Sequence, residues 1–397
     1  MTLSSANLDT RADTRRAGAT HWRVTRYGGA DAFLSDVSEH SPATGFQSAT
    51  WLSHLLGLAR AENATLVLVA LEPQSGGGSL LLPLAVKNER GARVARFADF
   101  GLTDYNVPVG ALQHRPVGGH APAAEAESIV AALRAAQLGI DVLRLERLPP
   151  MPGNVLASHP RGRRARLAGN TLTLAGTVEE MLRARGKKYR KEVERCYRVL
   201  ESEGAWEFAE ARSPSERHAA YSASERQQAE RHAGNTGQYA LARPHVSSFY
   251  RNILDAPTGL ARLFMLSVDG EMIAALLGIV HGRTFTLLRI ANGGPAWRHV
   301  SPGRLVVVEA MKRLLPEGVT TFDMGIGDYA FKRGFGCERV PLVDVVVPLT
   351  VRGLPYATAL AVKTRGRESE RVRAFVSRLR GVARGPFHSQ VPRSDDA

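Results

Sequence analysis

The chain has 397 residues, 44% of them hydrophobic, a globular composition with more chain than one ordinary core accommodates. Its formal charge is +14, and no apolar run approaches the roughly 18 residues that cross a bilayer. Cysteine occurs only at Cys196 and Cys337, which argues against a disulfide framework or a cysteine metal site.

The arginines near the N-terminus have no apolar stretch behind them, so the expectation is a cytoplasmic protein without a secretory signal. The positive charge is concentrated. Residues 161–198 hold twelve Lys/Arg against four Asp/Glu, and residues 363–384 hold eight against two. Together these two segments equal the whole excess. Such concentration favours an anionic partner, or else marks solvated basic helices.

In chain order, residues 1–20 read as a polar, disordered lead-in. Helical spacing of Trp51, Leu52, Leu55 and Leu56 predicts a helix over 49–60. Two β-type runs, 65–71 and 80–87, flank a glycine turn and predict a hairpin. Strands are expected at 92–100 and 140–145, with an alanine-rich helix at 123–138. After a basic loop at 161–166 and a short strand at 171–174, one long helix is predicted over 178–203. Its apolar stripe includes Leu182, Tyr189, Val193, Cys196 and Leu200, and Gly204 ends it. A strand at 206–210 and helices at 213–232 and 245–254 follow. Asp269-Gly270 joins strands 262–268 and 271–281 in a hairpin. Then come strand 284–291, helix 301–315, strands 320–324 and 342–348, and a basic helical tail.

Helix, hairpin, strand, helix and strand recur in the same order in both halves. The expected organisation is therefore a duplicated α/β (α+β) protein. Its units are 21–176 and 177–350, followed by a basic helical tail and disordered end at 351–397.

The chemistry concentrates in 260–336. Ser301 and Pro302 open a helix, Gly303 leaves its backbone open to close approach, and Arg298 and Arg304 flank it. A helix N-terminus so built suits a phosphate, or is simply a capped helix. Asp328, Tyr329 and Lys332 follow within five positions; they could equally be a helix cap, a packed ring and a surface cation.

Arg298-x-x-Ser301-x-Gly303 resembles the pyrophosphate loop of the GCN5-related N-acetyltransferase (GNAT) fold, which prefers glycine where this chain has Ser301. The stretch from Asp323 to Gly336, with Asp328, Phe331, Lys332 and Phe335, resembles the double-domain FemAB-like transferases. It resembles still more the CelD-type acetyltransferases of cellulose and exopolysaccharide biosynthesis. A long basic helix at 186–203 and the loop Asp104-Tyr105-Asn106-Val107-Pro108 belong to the same resemblance.

The resemblance implies two tandem GNAT-like domains, each a mixed, mostly antiparallel sheet flanked by helices, with the first degenerate. It implies acetyl-CoA or another acyl-CoA as co-substrate; no metal is expected, since no His, Cys and Asp cluster has metal-ligand spacing. The pyrophosphate would sit on Arg298, Ser301, Pro302, Gly303 and Arg304. Backbone groups at Arg289 and Ile290 would face the thioester carbonyl. Asp328 would be the base, Tyr329 the acid, and Lys332 a cation near the reacting carbonyl. Asp104, Tyr105 and Asn106 would reach a shared cleft and bind the acceptor, a sugar, sugar nucleotide or envelope precursor. Two alternatives stand beside this: an aminoacyl-tRNA-dependent transferase of FemAB type, whose basic helix tracks nucleic acid, and an inactive scaffold docked through the tail at 363–384.

Overall fold

A computed structural model describes residues 11–12, 22–74, 76, 78–114, 121–232 and 240–368. The expected lead-in at 1–20, apart from 11–12, and the tail beyond 368 lie outside the described residues.

Two sheets dominate. The first runs, in spatial order, β1 (Arg11–Ala12), β2 (Trp22–Tyr27), β3 (Thr65–Pro73), β4 (Leu80–Glu89), β5 (Ala92–Phe97), β6 (Val142–Leu148), β15 (Val343–Pro348) and β7 (Gly162–Arg164). The second runs β14 (Glu338–Val340), β8 (Gly169–Thr173), β13 (Thr321–Asp323), β12 (Thr284–Asn292), β11 (Glu271–His281), β10 (Ala261–Val268) and β9 (Trp206–Glu210). Each sheet is antiparallel except for one parallel pair, β5 with β6 and β12 with β13. The fold is thus α/β, with two mixed sheets flanked by helices.

The outer face of the first sheet packs on α3 (Pro122–Ala135), whose Ile129, Val130 and Leu133 are buried against Leu71, Leu82 and Leu145. The outer face of the second packs on α4 (Val178–Ala184), α5 (Lys187–Glu203) and α8 (Pro302–Leu314). Between the sheets lies one continuous apolar cluster. It includes Phe33 of α1 (Ala30–Ser38), Trp51 of α2 (Ala49–Leu56), Tyr221 of α6 (Pro214–His232) and Phe249 of α7 (Pro244–Asp255). Trp51 and Phe249 meet edge to face at 4.9 Å, an arrangement that aromatic quadrupoles favour.

The predicted boundaries do not coincide with the sheets. Strand β8 lies before residue 176 yet pairs in the second sheet, and β15 lies before residue 350 yet pairs in the first. The chain crosses between sheets at 165–168 and returns at 341–342. The predicted single helix over 178–203 is two helices. Gly186, with φ +92°, breaks it, and Thr177 caps the first piece through a reciprocal bond with Glu180. Short elements escaped periodicity: β2, β7, β14, α1 and α9 (Ala330–Phe335). Within the expected tail at 351–397 the described residues form helix α10 (Leu354–Glu368).

Candidate active site

Strands β12 and β13 pair only over residues 284–286 and 321–323. Beyond that β13 ends, while β12 continues to Asn292 with its edge open. The register against β11 slips at Leu288, where Arg289 pairs with Leu277 and Leu287 with Gly278. Such a bulge bends a strand and re-aims its backbone groups. The predicted Arg289 and Ile290 therefore sit on the unpaired stretch, although Gln228 Nε2 already donates to the Ile290 carbonyl at 3.0 Å.

Helix α8 begins at the end of this strand. Ser301 is its N-cap residue, but its side chain makes no cap bond, correcting the expected Ser301 cap; its backbone is left-handed, φ 57°. That conformation explains why glycine suits this position. Pro302 is buried, and a β-carbon on Gly303 would collide with Asn292 Oδ1, a buried oxygen that has no hydrogen-bond partner among the described residues. Arg298 is exposed and free of ion pairs among the described residues. Arg304 is otherwise engaged: it donates to Glu192 at 2.6 Å and lies over the Tyr189 ring. Arg304 thus braces α5 against α8, and Arg298 is the available cation at this helix end.

A second group of residues converges where β13 stops. Tyr105 Oη donates to Asp323 Oδ1 at 2.8 Å, and the Gly325 amide donates to the same oxygen at 2.7 Å. The Ile326 amide donates to Asp104 Oδ2 at 3.1 Å. Lys332 Nζ donates to the carbonyls of Gly325 and Ile326 at 3.1 and 2.8 Å. Asp323 and Lys332 are each 4% exposed, so both charges have left bulk water. Burial raises the Asp323 pKa to about 7, and the neighbouring Asp104 carboxylate adds to that rise. Burial also raises the pKa of Asp104, against the pull of the Ile326 amide and the cations of Arg147, Lys332 and Arg289. It lowers that of Lys332, which Asp104 and Asp323 oppose. Two carboxylates and a lysine thus share one low-dielectric space.

The loop Asp104-Tyr105-Asn106 therefore meets the second unit. Asp104 is half-buried at its surface, and Tyr105 reaches through to Asp323. Asn106 serves the first unit instead, donating to Asp99 and to the Glu146 carbonyl. Asp328 does not join the cluster. It is exposed and paired with Arg333 at 2.6 Å and Arg339 at 3.6 Å. Tyr329 is 60% exposed, with its ring 5.2 Å from Lys332 Nζ at the rim. Sequence reasoning missed Asp323, the side chain of Arg289, which stacks on Tyr250 at 4.5 Å, and Asn170, which donates to the carbonyls of Gly325 and Gly327. Asp323 had a signal: a charged residue closing an otherwise buried strand.

Residues 187–333 match the family model for the acetyltransferase (GNAT) domain. The second half thus carries an N-acyltransferase domain of the GNAT type, a class that uses acyl-CoA. Among solved structures, the whole two-sheet architecture is similar to a conserved protein of unknown function from Bacteroides thetaiotaomicron, at 11% identity and TM-score 0.52, covering 82% of this chain and 99% of that one. It is equally similar to FemX, at 11% identity and TM-score 0.52, covering 84% and 99%. A third is the C-terminal domain of a putative lysylphosphatidylglycerol synthetase from Agrobacterium fabrum, at 12% identity and TM-score 0.50, covering 84% and 94%. At these identities the likeness is one of fold. No curated protein matches the chain in sequence. Among the described residues no helix is long and apolar enough to cross a membrane, and no group of His, Cys, Asp and Glu could hold a metal ion.

Proposed function

We propose that this chain is a cytoplasmic acyltransferase that moves an acyl group, acetyl foremost, from coenzyme A to an amine or hydroxyl of a saccharide or envelope precursor. The observation that carries this reading is the convergence of Asp104, Asp323 and Lys332 at the point where β12 loses its partner strand. The α8 N-terminus and the free Arg298 fit a phosphate-bearing co-substrate in the seat of Arg298, Ser301, Pro302 and Gly303. When bound, acyl-CoA would supply an activated thioester carbonyl, with the coenzyme A thiol as leaving group.

The residues then divide the work. Asp104 takes the acceptor proton, because it is the more exposed carboxylate of the pair and burial raises its pKa. This replaces Asp328 as base, since the two arginines already neutralise that carboxylate at the surface. Asp323 and Tyr105 position the loop that carries Lys332. Lys332 holds positive charge where negative charge develops, and the low dielectric strengthens its effect. Tyr329 Oη, at the rim, is the proton donor to the leaving group.

Thiol release from acetyl-CoA and longer acyl-CoAs, with amino sugars and sugar nucleotides as acceptors, tests the reading. Lys332→Ala is expected to lower turnover about 100-fold with the fold intact. Asp328→Asn is expected to stay within about threefold, as an exposed ion pair should. Failure to bind coenzyme A by calorimetry would sink the proposal.

One observation favours a second reading, in which an aminoacyl-tRNA is the donor. Lys187, Lys191, Arg195 and Arg198 form an exposed stripe on α5 and have no ion-pair partner among the described residues. Retention of charged tRNA together with indifference to coenzyme A would establish that alternative.

A further inference from the structure

A basic cavity of about 560 Å³ opens where the two sheets exchange strands. His159, Arg163, Arg164 and Arg339 line it, with Leu342 and Val343 among its apolar walls. Two sheet edges meet here. Strand β7 is the edge of the first sheet and pairs Arg164 with Val343. Strand β14 is the edge of the second and carries Arg339. The connection at 341–342 leads from β14 into β15, the strand that pairs with β7, and is locked by a bond from the Ala165 amide to the Leu342 carbonyl at 2.7 Å.

The charges are compensated only in part. Arg163 and Arg164 have no ion-pair partner among the described residues. Arg339 reaches Asp328 only at 3.6 Å, and that carboxylate is held closer by Arg333. His159 is 6% exposed, and its Nδ1 accepts the Arg161 amide at 3.0 Å. The neutral ring therefore carries its proton on Nε2, as a donor.

Three guanidiniums on one cavity call for more than one negative charge. With Arg339 already sharing Asp328, a single carboxylate still leaves one of Arg163 and Arg164 unbalanced. A phosphoryl group carries roughly two charges, and its oxygens match the arginine fork. The volume lies within the range of about 300–1,000 Å³ usual for small-molecule sites, so there is room beyond the phosphoryl for a ring. Leu342 and Val343 offer an apolar surface to that ring. The position is also informative. Arg339 is the strand partner of Asn170, whose side chain holds the Gly325 and Gly327 carbonyls of the catalytic loop at 2.8 Å each. The cavity is therefore one strand away from Lys332 and Asp323.

We propose that this cavity binds the phosphoryl end of the acceptor, a sugar phosphate or a nucleoside-diphosphate sugar. The word acceptor rests on the acyltransferase reading; the phosphoryl site itself does not. The probe is inorganic pyrophosphate, titrated by calorimetry into the full chain with coenzyme A present in excess, so that the seat at α8 cannot account for the signal. The wild type is expected to bind one pyrophosphate, more weakly as salt rises. Arg163→Ala/Arg164→Ala is expected to weaken binding at least tenfold, and Arg163→Lys/Arg164→Lys to fall between, keeping charge without the fork. Unchanged thermal unfolding of both variants checks the fold. Pyrophosphate binding that is absent in the wild type, or unaltered by the alanine pair, overturns the proposal. Coenzyme A affinity measured alone judges the donor reading separately. Glucose 1-phosphate and UDP-glucose, titrated alike, distinguish the two ligand sources: whichever gains affinity over pyrophosphate names the class. If neither binds while pyrophosphate does, the acceptor assignment falls.

Discussion

Asp323 concentrates the physical tension of this site. Its ordinary pKa is 3.8, and burial beside Asp104 raises it to about 7 in the folded protein. The folded state therefore holds this proton more tightly than the unfolded chain does. The resulting stability is fully present below about pH 4 and is lost as pH rises through about 7. Asp323→Asn keeps an acceptor for Tyr105 and removes the titration. Across pH 4 to 7 the wild type is expected to lose on the order of 2–4 kcal/mol relative to the variant. Urea unfolding of both proteins at a series of pH values measures it. A gap between them that does not change with pH would mean that Asp323 titrates normally. Asp328 differs in its surroundings. The same residue type five positions on faces water and two arginines, and only tertiary packing separates their chemistry.

At the scale of elements, the turn from β12 into α8 decides whether the second unit can seat a phosphate. Ser301 adopts a left-handed backbone without the hydrogen bond that would reward a serine there. Ser301→Gly should relieve that conformation and raise stability by about 0.5–1 kcal/mol, read as the shift in a denaturation midpoint. A loss of stability would mean that the serine makes a compensating contact. Helix α5 was predictable as an amphipathic basic helix, because its apolar stripe follows the helical period. Its separation from α4 was not predictable from that stripe, which continues through Gly186 unbroken. The break depends on a positive φ that glycine permits but does not require.

The whole molecule is two sheets that share a core and trade strands. Leu342, Phe249 and Trp51 belong to one apolar cluster although they come from different units. A fragment of residues 177–350 lacks β8, so β13 and β14 lose their common neighbour, and it carries β15 without the sheet that β15 completes. Such a fragment is expected to show no cooperative unfolding transition by circular dichroism, whereas the full chain unfolds as one unit. A sharp transition in the fragment would show that the crossovers are decoration on two independent domains.

Much was determined by sequence alone. Period-two runs around Asp269-Gly270 specify a hairpin, and Trp206 to Glu210 forms the strand that its alternation predicts. These are local patterns, and local sterics and burial read them directly. The order of elements and the motif around Lys332 likewise pointed to the acyltransferase fold. What only the tertiary structure decided is which charges lose their water. Asp104 lies more than two hundred positions from Asp323, and neither carries a mark of its partner in the linear chain. Their proximity depends on a bulge at Leu288, a strand that stops at Asp323 and a loop reaching across from the other unit. The exchange of β8 and β15 belongs to the same category, because strand pairing at such separations is settled by the shared core and not by neighbouring residues.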